Sequence, residues 1–70
     1  MNRESVRSSN LRSVGYDGWT GTLEIEFRSG GVYRYSNVPG ERYERLMRAS
    51  SKGGFFCYYI KYRFACRKVR

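Results

Sequence analysis

Between Leu23 and Asn37 the chain is constrained to one simple arrangement. Leu23, Ile25 and Phe27 alternate strictly with Glu24, Glu26 and Arg28, the period-two pattern of a strand with one buried and one wet face. Ser29, Gly30 and Gly31 follow, and glycine supplies the positive φ that tight hairpin turns require. Val32 to Asn37 then returns as a strand with Tyr33 and Tyr35 on one face and Val32, Arg34 and Ser36 on the other. Upstream, Leu11 to Tyr16 reads as a further strand. Val14 and Tyr16 share a face with Arg12 at its rim, and Gly15 leaves the opposite side open. Asp17 to Gly21 supplies the connecting turn around Trp19, read as a packed loop anchor. The pattern predicts a three-stranded antiparallel meander.

Two helices are expected to cover it. Pro39 suits a first helical turn, and Glu41 sits near the positive end of the dipole. Tyr43, Leu46 and Met47 form an inward stripe, while Arg42, Arg45 and Arg48 make a separate row facing water. Gly53 or Gly54 offers a left-handed stop to this helix. Phe56, Tyr59, Ile60 and Arg63 then recur at helical spacing, which predicts a second helix from about Phe55 to Arg63, with strand as the alternative. The expected fold class is α+β, a three-stranded antiparallel β-meander packed against two C-terminal helices. Residues 1–8 are read as a flexible lead-in, 9–66 as one domain and 67–70 as a basic tail.

Seventy residues bury only ~60% of the surface that the unfolded chain exposes, leaving little room for an enclosed active site. The chain has no histidine, which removes the usual general base, the histidine-dependent dyads and triads, and every His-containing zinc site. Two cysteines, Cys57 and Cys66, cannot build a four-ligand metal centre. With nothing resembling a signal peptide ahead of them, they are expected to be free thiols in a reducing, cytoplasmic compartment. Glu24 and Glu26 lack a third ligand and are read as solvated strand carboxylates. No cofactor is expected. The longest apolar run, Phe55 to Ile60, falls far short of the ~20 residues of a membrane span.

Charge is where the sequence points to a partner. Fourteen Lys and Arg stand against six Asp and Glu, a net charge of +8. Residues 1–35 hold five basic against four acidic groups; residues 36–70 hold nine against two. Eleven of the fourteen basic residues are arginine, whose planar guanidinium matches phosphate oxygens and stacks on bases. An anionic polymer is the natural partner. The candidate phosphate ligands are Arg42, Arg45, Arg48, Lys52, Lys61, Arg63, Arg67, Lys68 and Arg70. Tyr58, Tyr59 and Tyr62 interleave aromatics with them, of which about one is expected to stay available once the core is filled. Tyr33 and Tyr35 are read as core tyrosines with hydroxyls at the rim, base stacking being the alternative. Arg34 is either a phosphate ligand or the partner of Glu24 or Glu26 across the ladder.

Taken in order, Ser9, Leu11, Val14 to Asp17, Leu23 to Phe27, Gly31 to Tyr35, Val38-Pro39, Tyr43, Leu46, Ala49, Ser51 to Gly53, Phe56, Ile60 and Tyr62 resemble the KTSC domain. This is a short module found at the C-terminus of some lysyl-tRNA synthetases and as free-standing proteins of bacteria and phages. Its Tyr-x-Tyr signature falls on Tyr33 and Tyr35, and its Ser-x-Gly-x-x-Phe segment on Ser51, Gly53 and Phe56; Cys57 stands where an Asn is expected. The resemblance implies a candidate RNA-binding module with no established activity. Charge and resemblance together predict a non-catalytic domain that binds RNA, in structured or tRNA-like form, or another polyanion. The alternative is a phage or mobile-element effector that binds a host protein or nucleotide signal through Trp19 and the C-terminal aromatics.

Overall fold

The computed structural model describes residues 1–70. In chain order they form β1 (Glu4–Ser5), β2 (Leu11–Asp17), β3 (Thr22–Phe27), β4 (Val32–Tyr35), α1 (Gly40–Arg48), α2 (Lys52–Tyr59) and β5 (Cys66–Lys68). The class is α+β with two helices, as expected. The sheet has five antiparallel strands in the order β1-β2-β3-β4-β5, not three. The central meander is the predicted one. The added strands are short edge pieces that pair by backbone alone and carry no apolar alternation.

The first of these comes from the segment read as flexible. Glu4 pairs with Val14 and Ser5 with Ser13, and the chain ahead of them crosses the outer face of the sheet at Gly15. A β-carbon on Gly15 would lie 2.7 Å from the Asn2 carbonyl oxygen and 3.1 Å from Arg3 Cγ. The side that Gly15 was expected to leave open is therefore filled by backbone. The second comes from the expected tail, since Lys68, Arg67 and Cys66 pair with Tyr33, Arg34 and Tyr35.

A register shift between Leu11 and Ser13 makes Arg12 the extra residue of a bulge. Leu11 thereby joins Val14 and Tyr16 on the inner face, opposite Phe27, Ile25 and Leu23, and Arg12 leaves the face assigned to it. The inner face and both helices close one core of Leu11, Val14, Leu23, Ile25, Tyr35, Val38, Leu46, Phe56 and Ile60. Tyr43 and Met47 pack at its edge, completing the predicted stripe of α1. Tyr16 stacks on Tyr43 with centroids 4.7 Å apart and donates its hydroxyl to the Val38 carbonyl at 2.5 Å.

Helix α2 begins three residues earlier than its periodicity suggests and ends four earlier. Ser51 is the N-cap, its hydroxyl accepting from the Gly54 amide at 3.2 Å. Gly53 and Gly54 therefore lie in the first turn instead of stopping α1. A β-carbon on Gly53 would lie 2.9 Å from Asn10 Nδ2, the movable end of an exposed side chain. The last turn closes with the Ile60 and Lys61 amides both donating to the Phe56 carbonyl, and Tyr62 then takes a left-handed φ of 67°.

Candidate nucleic-acid interface

The arginine row of α1 does not face water as a free stripe. Arg42 reaches across to α2, donates to the Tyr59 carbonyl at 2.5 Å and lies 5.5 Å over the Phe64 ring. Its buried Nε lies 3.6 Å from a Glu41 carboxylate oxygen. Arg45 sits 5.5 Å over both Phe55 and Tyr59 and pairs with Glu41 at 3.8 Å. Arg63 donates to the Tyr58 carbonyl at 2.9 Å. The reason is electrostatic: the last carbonyls of α2 have no intrahelical partners and form the negative end of its dipole, so two guanidinium groups settle there. Of the row, only Arg48 is exposed without an ion pair.

Arg34 is a cross-strand ion-pair residue. Its Nε donates to Glu24 Oε1 at 2.7 Å, and Arg3 bonds the other carboxylate oxygen. Glu24 is thus buried between two guanidinium groups, where it was expected to be solvated. Burial pushes its carboxyl up, but the hydrogen bonds and charges of Arg34 and Arg3 outweigh that and hold it below the usual carboxylate range. Ser13 extends the network, accepting from Arg3 Nε and donating to Glu26, each at 2.9 Å. Arg70 lines the same outer-face concavity of about 600 Å³, and Arg67 pairs beside Arg34 on that side. Charges of both signs meet here, with Arg3, Arg12, Arg34 and Arg70 against Glu24 and Glu26, so the face keeps a positive excess although Glu24 and Glu26 pair with three of its arginines.

The opposite side of the sheet is different. Tyr33 and Tyr35 line a concavity of about 420 Å³ together with Phe27, Phe56, Tyr62, Phe64, Lys61 and Cys66. Tyr35 is buried, as a core tyrosine should be, whereas Tyr33 is half-buried. Burial, with lesser contributions from Cys66 and Tyr33, pushes the Tyr35 hydroxyl well above its ordinary value, so it stays a neutral donor. The rings brace one another edge to face: Phe27 meets Tyr33 at 5.6 Å and Phe56 at 5.4 Å, and Tyr35 meets Phe56 at 5.5 Å.

Two further hollows adjoin this aromatic one, and the three together are called the groove. A second hollow of about 330 Å³ shares Phe27, Ser29, Phe56 and Lys61 with the first and adds Asn10, Arg28 and Cys57. A third of about 210 Å³ shares Ser9 and Asn10 and adds Arg7, Ser51, Lys52 and Gly53 beside the start of α2. Not one Asp or Glu lines any of the three. Lys52 bonds the Ala49 carbonyl at 3.2 Å, and Lys61 sits 5.2 Å over the Tyr62 ring. Lys68 lies on the Tyr33 side of the edge strand.

The predicted basic residues therefore divide among three places. Arg34, Arg67 and Arg70 belong to the outer face; Arg42, Arg45, Arg48 and Arg63 to the helix pair; Lys52, Lys61 and Lys68 to the groove side. Phe27, Arg7, Arg28 and Phe64 were missed as groove residues, whereas Tyr62 was among the three interleaved aromatics expected to offer one. For Tyr62 the aromatic density of the C-terminal half was a signal; for Arg28, the near-neutral first half pointed away. Trp19, read as a packed anchor, is 99% exposed, and Tyr58, Tyr59 and Tyr62 are all exposed where one was expected. Phe55, Phe56, Ile60 and Phe64 take the packing positions instead.

The family profile described as the KTSC domain matches residues 7–64. An uncharacterized protein of Stutzerimonas stutzeri is 48% identical over 56 residues, covering 80% of this chain and 79% of that one. The lysine–tRNA ligases of Trichormus variabilis and Nostoc punctiforme are 43% and 45% identical over 56 residues, 80% of this chain but only 10% of theirs. The crystal structure of a KTSC domain protein from Yersinia pestis superimposes with a TM-score of 0.96 at 45% identity, covering 99% of this chain and 97% of that one.

Proposed function

The chain belongs to the KTSC domain family, and from that premise we propose that it is a non-catalytic module that binds RNA. The observation that carries the reading is the groove, a set of three adjoining hollows in which aromatic rings at one end and the cations Arg7, Arg28, Lys52 and Lys61 are met without a single carboxylate. A polyanion entering it meets attraction along its whole length and rings on which bases can stack. The larger outer concavity is the poorer candidate, because it contains Glu24 and Glu26, which already pair with Arg3, Arg12 and Arg34 and would repel a polyanion. The match to a tenth of two lysine–tRNA ligases supports RNA as the polyanion. The expected setting is cytoplasmic; no helix is long and apolar enough to cross a membrane.

An NMR titration with RNA oligonucleotides at low and physiological salt tests this. Shifts of the Asn10, Arg28, Tyr33 and Lys61 amides, with affinity falling steeply as salt rises, are expected, since each neutralised phosphate releases a counterion. Absence of binding at low salt rejects the proposal. A second reading, an effector that binds a host protein, is favoured by one observation, the fully exposed Trp19. It predicts a partner retained after nuclease treatment and lost on Trp19→Ser.

A further inference from the structure

Tyr62 takes a backbone conformation that favours another residue. It lies two residues beyond Ile60, the C-cap of α2, with a left-handed φ of 67°, a conformation that glycine adopts most readily because a β-carbon is strained there. Core packing does not explain the tyrosine, since the residue is 90% exposed and the contact its ring makes is with Lys61 Nζ, 5.2 Å above it. What it does border is the mouth of the aromatic concavity. Below it, Tyr35 and Phe56 form a buried floor, and Tyr33 and Phe64 are half-buried.

We infer that this end of the groove takes one unpaired nucleobase, with Tyr62 as the outer ring that closes over it; the inference rests on the RNA reading above. The volume of about 420 Å³ falls within the ~300–1,000 Å³ of small-molecule sites. The walls are set in advance by the edge-to-face contacts among Phe27, Tyr33, Tyr35 and Phe56. Lys61, which lines this hollow and the next, places a cation where the phosphate of the inserted nucleotide would leave. A duplex keeps its bases stacked inside and presents only backbone and groove edges, so it cannot fill such a pocket. The module accordingly selects unpaired over double-stranded RNA.

The test compares a single-stranded oligoribonucleotide carrying 2-aminopurine with a duplex of the same sequence, for the unaltered chain and for Tyr62→Gly and Tyr62→Phe. The single strand is expected to bind more tightly than the duplex, with quenching of the probe. Tyr62→Gly should lower single-strand affinity about five-fold or more, leave duplex binding unchanged, and leave the midpoint of thermal unfolding unchanged or raised. Tyr62→Phe should keep both affinity and quenching. Equal binding of single strand and duplex, or full affinity in a stably folded Tyr62→Gly, overturns the pocket while leaving RNA binding in place. Binding of neither overturns both.

Discussion

Glu24 and Arg34 face each other across β3 and β4, with Arg34 Nε 2.7 Å from Glu24 Oε1, and Arg3 closes the other side of the same carboxylate. Because the folded state holds Glu24 below its unfolded value, the stabilisation is present above the unfolded pKa and lost as pH falls through the folded one. Unfolding midpoints measured from pH 7 to pH 3 should therefore fall in the unaltered chain and flatten over the acid limb in Glu24→Gln. At pH 7, Glu24→Ala leaves two guanidinium groups without their acceptor and should cost about 2 kcal/mol by denaturant unfolding.

Gly15 supports the backbone of Asn2 at a distance no β-carbon tolerates. Gly15→Ala should cost ~1–3 kcal/mol, the usual penalty of overpacking. In a chain lacking residues 1–3 the same substitution should be nearly neutral. A double-mutant cycle showing full additivity would contradict the contact.

Arg42 is a tie between helices. Arg42→Ala should lower stability by about 1–2 kcal/mol through the lost carbonyl bond and ring contact, whereas Arg48→Ala should stay within ~0.5 kcal/mol. For RNA the order reverses in kind: Lys61→Ala should lower the slope of log affinity against log salt by about one, measured by fluorescence anisotropy, with little change in stability.

Trp19 is the sole tryptophan and 99% exposed. Its emission should be that of a water-exposed indole in the folded protein and shift little on unfolding. Trp19→Ser should change stability by less than ~0.5 kcal/mol.

How legible this was depends on where the information resides. The strands from Leu23 to Tyr35 and the Tyr43, Leu46, Met47 stripe were readable because burial against a single core imposes a period. Strands β1 and β5 were not, since two or three residues paired through backbone leave no periodic trace. The bulge at Arg12 changed which side chains share a face without changing a letter of the pattern. Arg42 and Arg63 looked like free cations because nothing local marks the unpaired carbonyls they meet seventeen and five residues away. The groove draws on residues from Arg7 to Cys66, so only the folded chain assembles it.

The strand order that puts β1 and β5 outermost also governs how copies of this domain meet one another. An open meander is a template for adding further strands wherever an edge is long, flat and apolar. Here the outermost strands are Glu4–Ser5 on one rim and Cys66–Lys68 on the other, short and charge-bearing pieces of the kind that disfavour pairing with a neighbour's backbone. The pieces that carry no hydrophobic signal thus blunt the two rims of the sheet, the device by which short charged edges disfavour further strand addition.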